Sequence, residues 1–221
     1  MAGNRQFFSC HFDVSDTQLH SPARLAKISR TWHLQAKTEK IARQRLFSPG
    51  KQRLCRERTQ MIRLLCVGKM KDKALQSLVS EYAKRISAFT KIEVLEVKDE
   101  PNTHAERDAE AVRIKDSEAE RVLAKLRDQD LVVLLDLGGK MWDSEQFAKQ
   151  LGSWQTKAGQ KGGDLVFVIA GSLGPGAALL RRSDLRWKLS DLTFTHLLTR
   201  VLILEQIYRG FMILHGRTYH K

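Results

Sequence analysis

The 221 residues carry 38 Lys and Arg against 25 Asp and Glu, a formal net charge of +13, with 42% hydrophobic and 29% charged residues; this is the balance of a globular protein, not of a chain disordered throughout. The longest unbroken apolar run is about six residues, which excludes a membrane-spanning helix, and the N-terminus has no apolar signal-like stretch. Three cysteines at positions 10, 55 and 66 make neither a disulfide framework nor a zinc ligand set, so no metal and a reducing, cytoplasmic setting are expected.

The charge is unevenly placed. Residues 1–60 hold 12 Lys and Arg and 4 Asp and Glu, while residues 61–221 hold 26 and 21, so a quarter of the chain carries more than half the excess. This first stretch lacks sustained periodicity and is expected to be a basic, disordered extension. Three origins stay open for it: an upstream-extended start ahead of Met61, an organelle leader, or an arm that grips RNA phosphates.

From Met61 the pattern is regular. Residues 62–67 are an apolar run closed by Gly68 and read as a buried strand. Asp72 is placed to cap a helix through about residue 88, with Leu75, Leu78, Val79, Tyr82 and Ile86 on one face. Residues 92–97 alternate with Glu93 and Glu96 and read as a second strand. Pro101 and Asn102 break the chain. A helix over 105–127 keeps Ala109, Val112, Ala119, Val122, Leu123 and Leu126 for a core, and its charges read as a solvated face. Residues 131–135 are wholly apolar and expected at the centre of the sheet; Gly138 and Gly139 then turn the chain. Asp143 or Ser144 caps a helix to about 156. Residues 165–169 form a fourth strand, followed by a Gly-rich loop over 171–176 and a short helical piece. A fifth strand is expected around 187–189 and a last helix over 196–214. Strands alternating with helices define an α/β fold with a mostly parallel sheet flanked by helices. On the last helix Leu197, Val201, Leu204, Tyr208 and Phe211 make a stripe. Ile203, Ile207 and Leu214 widen it on a flank that either packs on the sheet or meets a second subunit.

In a parallel α/β sheet, ligands bind beyond the carboxyl ends of the strands. Three loops qualify: residues 136–140, 170–176 and 190–194. They are rich in glycine, which lets backbone approach a ligand closely. The spacing Gly171-x-x-Gly174-x-Gly176 reverses the dinucleotide fingerprint, which disfavours an NAD-dependent oxidoreductase. No Walker-type lysine, His-Glu-x-x-His or nucleophile elbow is present. What remains is a cofactor pocket made mainly of backbone.

The ordered segments 131–139, 168–174, 189–196 and 200–209, closed by Tyr219-His220-Lys221, resemble the RlmH family, as does the start at Met61-Ile62-Arg63-Leu64-Leu65-Cys66-Val67-Gly68-Lys69. These are small SPOUT-superfamily methyltransferases acting on pseudouridine in large-subunit ribosomal RNA. The resemblance covers residues 61–221, and its most specific parts are Glu205-Gln206-x-Tyr208-Arg209 and Tyr219-His220. It implies a SPOUT-type fold with a C-terminal trefoil knot, a homodimer, S-adenosylmethionine as cofactor, and methylation at N3 of a 23S pseudouridine on the assembled ribosome. It assigns cofactor contacts to Leu135, Ala170, Gly171, Leu189, Ser190, Asp191, Leu192, Thr193 and Phe194. For the N3 proton, the candidate bases are His196 and His220, with Arg200 and Tyr219 positioning RNA or a developing negative charge.

Three positions depart from the family's usual pattern. Ala170-Gly171 stands where Gly-Gly is usual, Ser172-Leu173 removes an acidic group, and Thr195 replaces a proline before the helix histidine. These departures keep other readings open, a catalytically silent RNA-binding homologue or a methyltransferase with a different RNA target.

Overall fold

A computed structural model describes residues 60–101 and 108–219. The basic stretch ahead of Gln60 and the candidate His220 lie outside the described residues.

Ten elements alternate along the chain: β1 (Met61–Val67), α1 (Lys73–Ile86), β2 (Lys91–Val97), α2 (Asp108–Leu123), β3 (Leu131–Lys140), α3 (Ser144–Gln160), β4 (Leu165–Ile169), α4 (Ala177–Arg182), β5 (Leu185–Trp187) and α5 (His196–Leu214). The five strands form one sheet in the order β2-β1-β4-β3-β5, and every pairing is parallel. Side chains of a strand point alternately to its two faces, so the sheet feeds two cores. Ile62, Leu64, Cys66, Leu165, Phe167 and Ile169 face α1, α3 and α5. Leu65, Val67, Val166 and Val168 face α2 and α4. Each fully buried Leu, Ile or Phe contributes about 1.5–3 kcal/mol, and these two layers are the main source of stability.

Helix starts follow local chemistry. Asp72 caps α1 by accepting from Leu75 N–H, and Asp143 with Gln146 forms a capping box at α3. Thr195 caps α5 by accepting from Leu198 N–H at 3.4 Å, so the residue that replaces the family's proline closes the helix end by another route. His196 is then the first residue inside the helix.

The structure corrects several expectations. The strand at the centre is β4, buried at all five positions, and β3 lies between it and the short edge strand β5. Gly138 and Gly139 do not end β3. The strand resumes through Lys140, with Trp187 paired to both Leu135 and Lys140. Of the four residues between, Asp136 and Leu137 reach the cavity described below. Gly139 is needed for the resumed pairing, since a Cβ there would lie 2.6 Å from the Arg186 carbonyl carbon and 2.7 Å from Trp187 N. β5 falls at Leu185–Trp187, slightly ahead of its expected place. Ile203 and Ile207, read as a possible subunit-facing flank, are fully buried in the chain's own core, where α5 packs on α1 and α3. Leu214, the third residue of that flank, stays exposed at the end of α5, so only its Ile203–Ile207 part is taken up by the chain's own core.

At the amino ends of the strands a charged cluster ties the sheet together. Arg63, on β1, meets Asp130 at 3.2 Å and donates to Lys125 O at 2.7 Å. Arg127 bridges Asp130 (2.6 Å) and Asp164 (2.7 Å), and Asp164 N–H donates to Asp130 at 2.9 Å. The cluster fixes the start of three neighbouring strands and leaves their carboxyl ends for chemistry.

Candidate cofactor and active site

The bulge after Leu135, the loop after β4 and the segment after β5 converge at the carboxyl edge of the sheet. They enclose a cavity of about 360 Å³. Leu135, Ile169, Trp187 and Leu189 give it an apolar floor, and residues 170–175 and 192–194 form the walls. His196 and Thr199, from the first turn of α5, line it as well. The volume lies within the range of pockets that bury a drug-sized ligand, about 300–1,000 Å³.

Of the candidate cofactor contacts, Leu135, Ala170, Gly171, Leu189, Ser190, Leu192, Thr193 and Phe194 all line this cavity. Asp191 does not; its carboxylate turns back to an ion pair with Lys188. Asp136, also in the lining, is paired with Arg186. The acids in these two loops are thus already matched by cations.

His196 borders Gly68, whose φ is +85°; a Cβ at Gly68 would lie 3.6 Å from His196 Nε2 and 3.8 Å from Asp99. Burial holds the imidazole below its ordinary pKa, the Arg200 cation adds to that, and Asp99 opposes it. The ring is therefore neutral near pH 7 and able to accept a proton.

Arg200 does not line the cavity. It lies one turn along α5, 1% exposed. Its guanidinium donates to Glu96 at 2.6 Å, Val67 O at 2.9 Å and Gly68 O at 2.8 Å. It clamps the end of β1 and the turn against which His196 rests. Tyr219 is elsewhere again. Its hydroxyl donates to Glu205 at 3.3 Å, and its ring meets Tyr208 and the Arg209 guanidinium, each about 5.0 Å away. Burial, with the Glu205 charge beside it, pushes its pKa up to about 12, so it stays protonated. Glu205 follows His196 by nine residues, roughly 13 Å along the helix, so Tyr219 and His196 of one chain do not share a site.

Two carboxylates escaped the sequence reading. Glu96 anchors Arg200 and also accepts from Met70 N–H at 3.0 Å. Glu118 belongs to the helix whose charges read as a solvated face, yet it is 6% exposed and lies under the loop after β4. The signal for it was present: Ile114, Glu118 and Val122 recur every four residues on one buried helix face.

A parallel sheet with a cavity across three late loops at the carboxyl ends of its strands is the architecture of a ligand-binding α/β protein. The chain belongs to the SPOUT methyltransferase family: the family model described as "Predicted SPOUT methyltransferase" matches residues 61–220. Among its relatives is Ribosomal RNA large subunit methyltransferase H of Latilactobacillus sakei subsp. sakei (strain 23K), 42% identical over 160 residues, which are 72% of this chain and 99% of that one. A solved structure of a probable methylase family protein from Haemophilus influenzae Rd KW20 aligns at a TM-score of 0.40 and 11% identity, over 71% of this chain and 67% of that one, a likeness too slight to carry weight.

Proposed function

We propose that this chain methylates N3 of a pseudouridine in large-subunit (23S) ribosomal RNA, using S-adenosylmethionine, on the assembled ribosome and as a homodimer, with residues 61–221 as the methyltransferase domain. The observation that carries the reading is the cavity formed by three late loops, lined largely by glycine, small polar and apolar residues. Such a lining suits an adenosyl group, whose ring edge is satisfied by backbone donors and acceptors and whose faces want apolar contact. Leu135, Ala170, Gly171, Leu189, Ser190 and residues 192–194 would hold it, in the knotted threading of the family. When bound, the cofactor supplies a methyl group on a cationic sulfur open to in-line attack.

The chain's own tasks are to orient and to deprotonate. Fixing the acceptor against the donor can supply much of the rate. His196, neutral and at the cavity wall, takes the N3 proton, and Asp99 stabilises the imidazolium that results. Arg200 is a positioning residue that holds the turn beside His196. Tyr219, remote from His196 in its own chain, and His220 next to it serve the cavity of the second copy. Leu192, Phe194 and Leu198, exposed on and beside the cavity rim, support a contact face there. Exposed Lys69 and Lys71, either side of buried Met70, suit RNA phosphates.

Titrating the full chain with S-adenosylmethionine tests the cofactor; saturable binding is expected, and none at millimolar concentration refutes it. Mass spectrometry of ribosomal RNA from a strain lacking the protein tests the reaction, with loss of one methylated pseudouridine expected. Ribosome binding without methyl incorporation would instead identify a silent RNA-binding homologue.

A further inference from the structure

We infer that Glu118 is a buried counter-charge behind the cofactor loop, and that it biases the cavity toward a cationic sulfonium ligand over the neutral thioether left after methyl transfer. This rests on the proposed cofactor. Gly171 lines the cavity on one side and the space around Glu118 on the other. A Cβ at Gly171 would lie 3.0 Å from Glu118 Cδ, so the carboxylate is one backbone's thickness from the ligand. A side chain at that step would have to push the carboxylate aside.

The charge there is only partly compensated. Among the described residues Glu118 makes no ion pair; its Oε1 accepts from Glu100 N–H at 3.1 Å. Asp136 and Asp191 are matched by Arg186 and Lys188, and Asp99 is exposed to water. Arg121, whose charge reaches it, is engaged with Glu100 and with Lys98 O, and half-buried Lys115 borders the same space. Ser172 and Leu173 leave the loop itself without an acid. Burial pushes the Glu118 carboxyl above its ordinary pKa, Asp99 and Glu100 adding to this against the Glu100 N–H and Arg121, which is the condition of an anion short of positive charge. A sulfonium across Gly171 supplies it; a thioether does not. Glu118 thus acts through the loop as a positioning and selectivity residue, without touching the reacting atoms.

The test is calorimetric titration of the full chain, wild type and Glu118→Gln, with S-adenosylmethionine and with S-adenosylhomocysteine at pH 8. Glu118→Gln should weaken the sulfonium ligand about tenfold more than the thioether, the scale of one well-screened charge a few ångströms away. Equal weakening of both ligands would overturn the inference and leave Glu118 a loop brace. Should Glu118→Gln fail to fold by circular dichroism, Arg121→Gln carries the test. Removing the cation that offsets Glu118 should raise the preference for the sulfonium, and an unchanged ratio overturns the inference. A wild-type chain that binds neither ligand overturns the proposed cofactor, and this inference with it.

Discussion

Replacing Arg200 with Met separates a structural clamp from a catalytic contact. The substitution keeps the side chain's length and removes its charge. It leaves Val67 O and Gly68 O without their donor and Glu96 without its cation. Breaking a buried ion pair from one side costs about 3–5 kcal/mol; the Glu96 side chain is 35% exposed, so water recovers part of this and about 3 kcal/mol is expected. For a domain of this size that corresponds to a fall in Tm of about 6–12 °C. The cofactor walls come from loops after β3, β4 and β5, not from β1, so affinity for S-adenosylmethionine should change less than about twofold while turnover falls through the loosened turn beside His196. Thermal and urea unfolding read the first effect, and calorimetry with single-turnover kinetics reads the second. A Tm drop below about 2 °C would refute the clamp. Unchanged stability with lost cofactor binding would also refute it, since Arg200 would then touch the ligand.

The depressed pKa of His196 predicts a single-turnover rate that is flat above pH 6.5 and declines only as pH falls through the lowered value, when the base becomes protonated. His196→Gln should slow turnover by about 10²–10⁴ and abolish that acid limb; an unchanged limb would reassign the base. At the other end of the sheet, Asp130→Asn strands Arg63 and should cost about 3–5 kcal/mol in urea unfolding. Burial alone would raise the Asp130 carboxyl, but the Asp164 N–H and Arg127 outweigh it and hold it below 3.8. Its stabilisation is therefore present above the unfolded pKa and lost as pH falls through the folded one, and wild type and variant should converge in stability there. If Tyr219 and His220 serve the partner's cavity, mixing His196→Gln chains with Tyr219→Phe/His220→Ala chains should regain activity that neither has alone, because one of the two sites in a mixed dimer is intact. No regain would return these groups to their own chain.

Much of the fold was legible because its signals are local. The bounds of α5, the caps at Asp72 and Asp143, and the apolar runs of β1 and β4 follow from periodicity and end chemistry. The extension of β3 was not, because Gly138-Gly139 reads as a turn in isolation and only pairing with Trp187 restores the strand. The three loops were legible as a group from the rule about strand ends. Arg200 and Glu118 were not, although each stands on an apolar helix face. Arg200, Ile203 and Ile207 recur at helical spacing, and a charge at such a position is more often solvated than buried.

The sheet order also sets a schedule for the ribosome that makes this protein. β1 stands between β2 and β4, and Ile62 pairs with Leu165, roughly a hundred residues later. β2 ends at Val97 and β4 starts at Leu165, so at about 5–20 residues per second the nascent β1–β2 pair waits roughly 3–14 s with one apolar edge unclaimed. Non-local parallel pairing of this kind slows folding and leaves aggregation-prone edges open meanwhile. Recovery of active protein should accordingly depend on translation speed and chaperone supply more than its native stability would suggest.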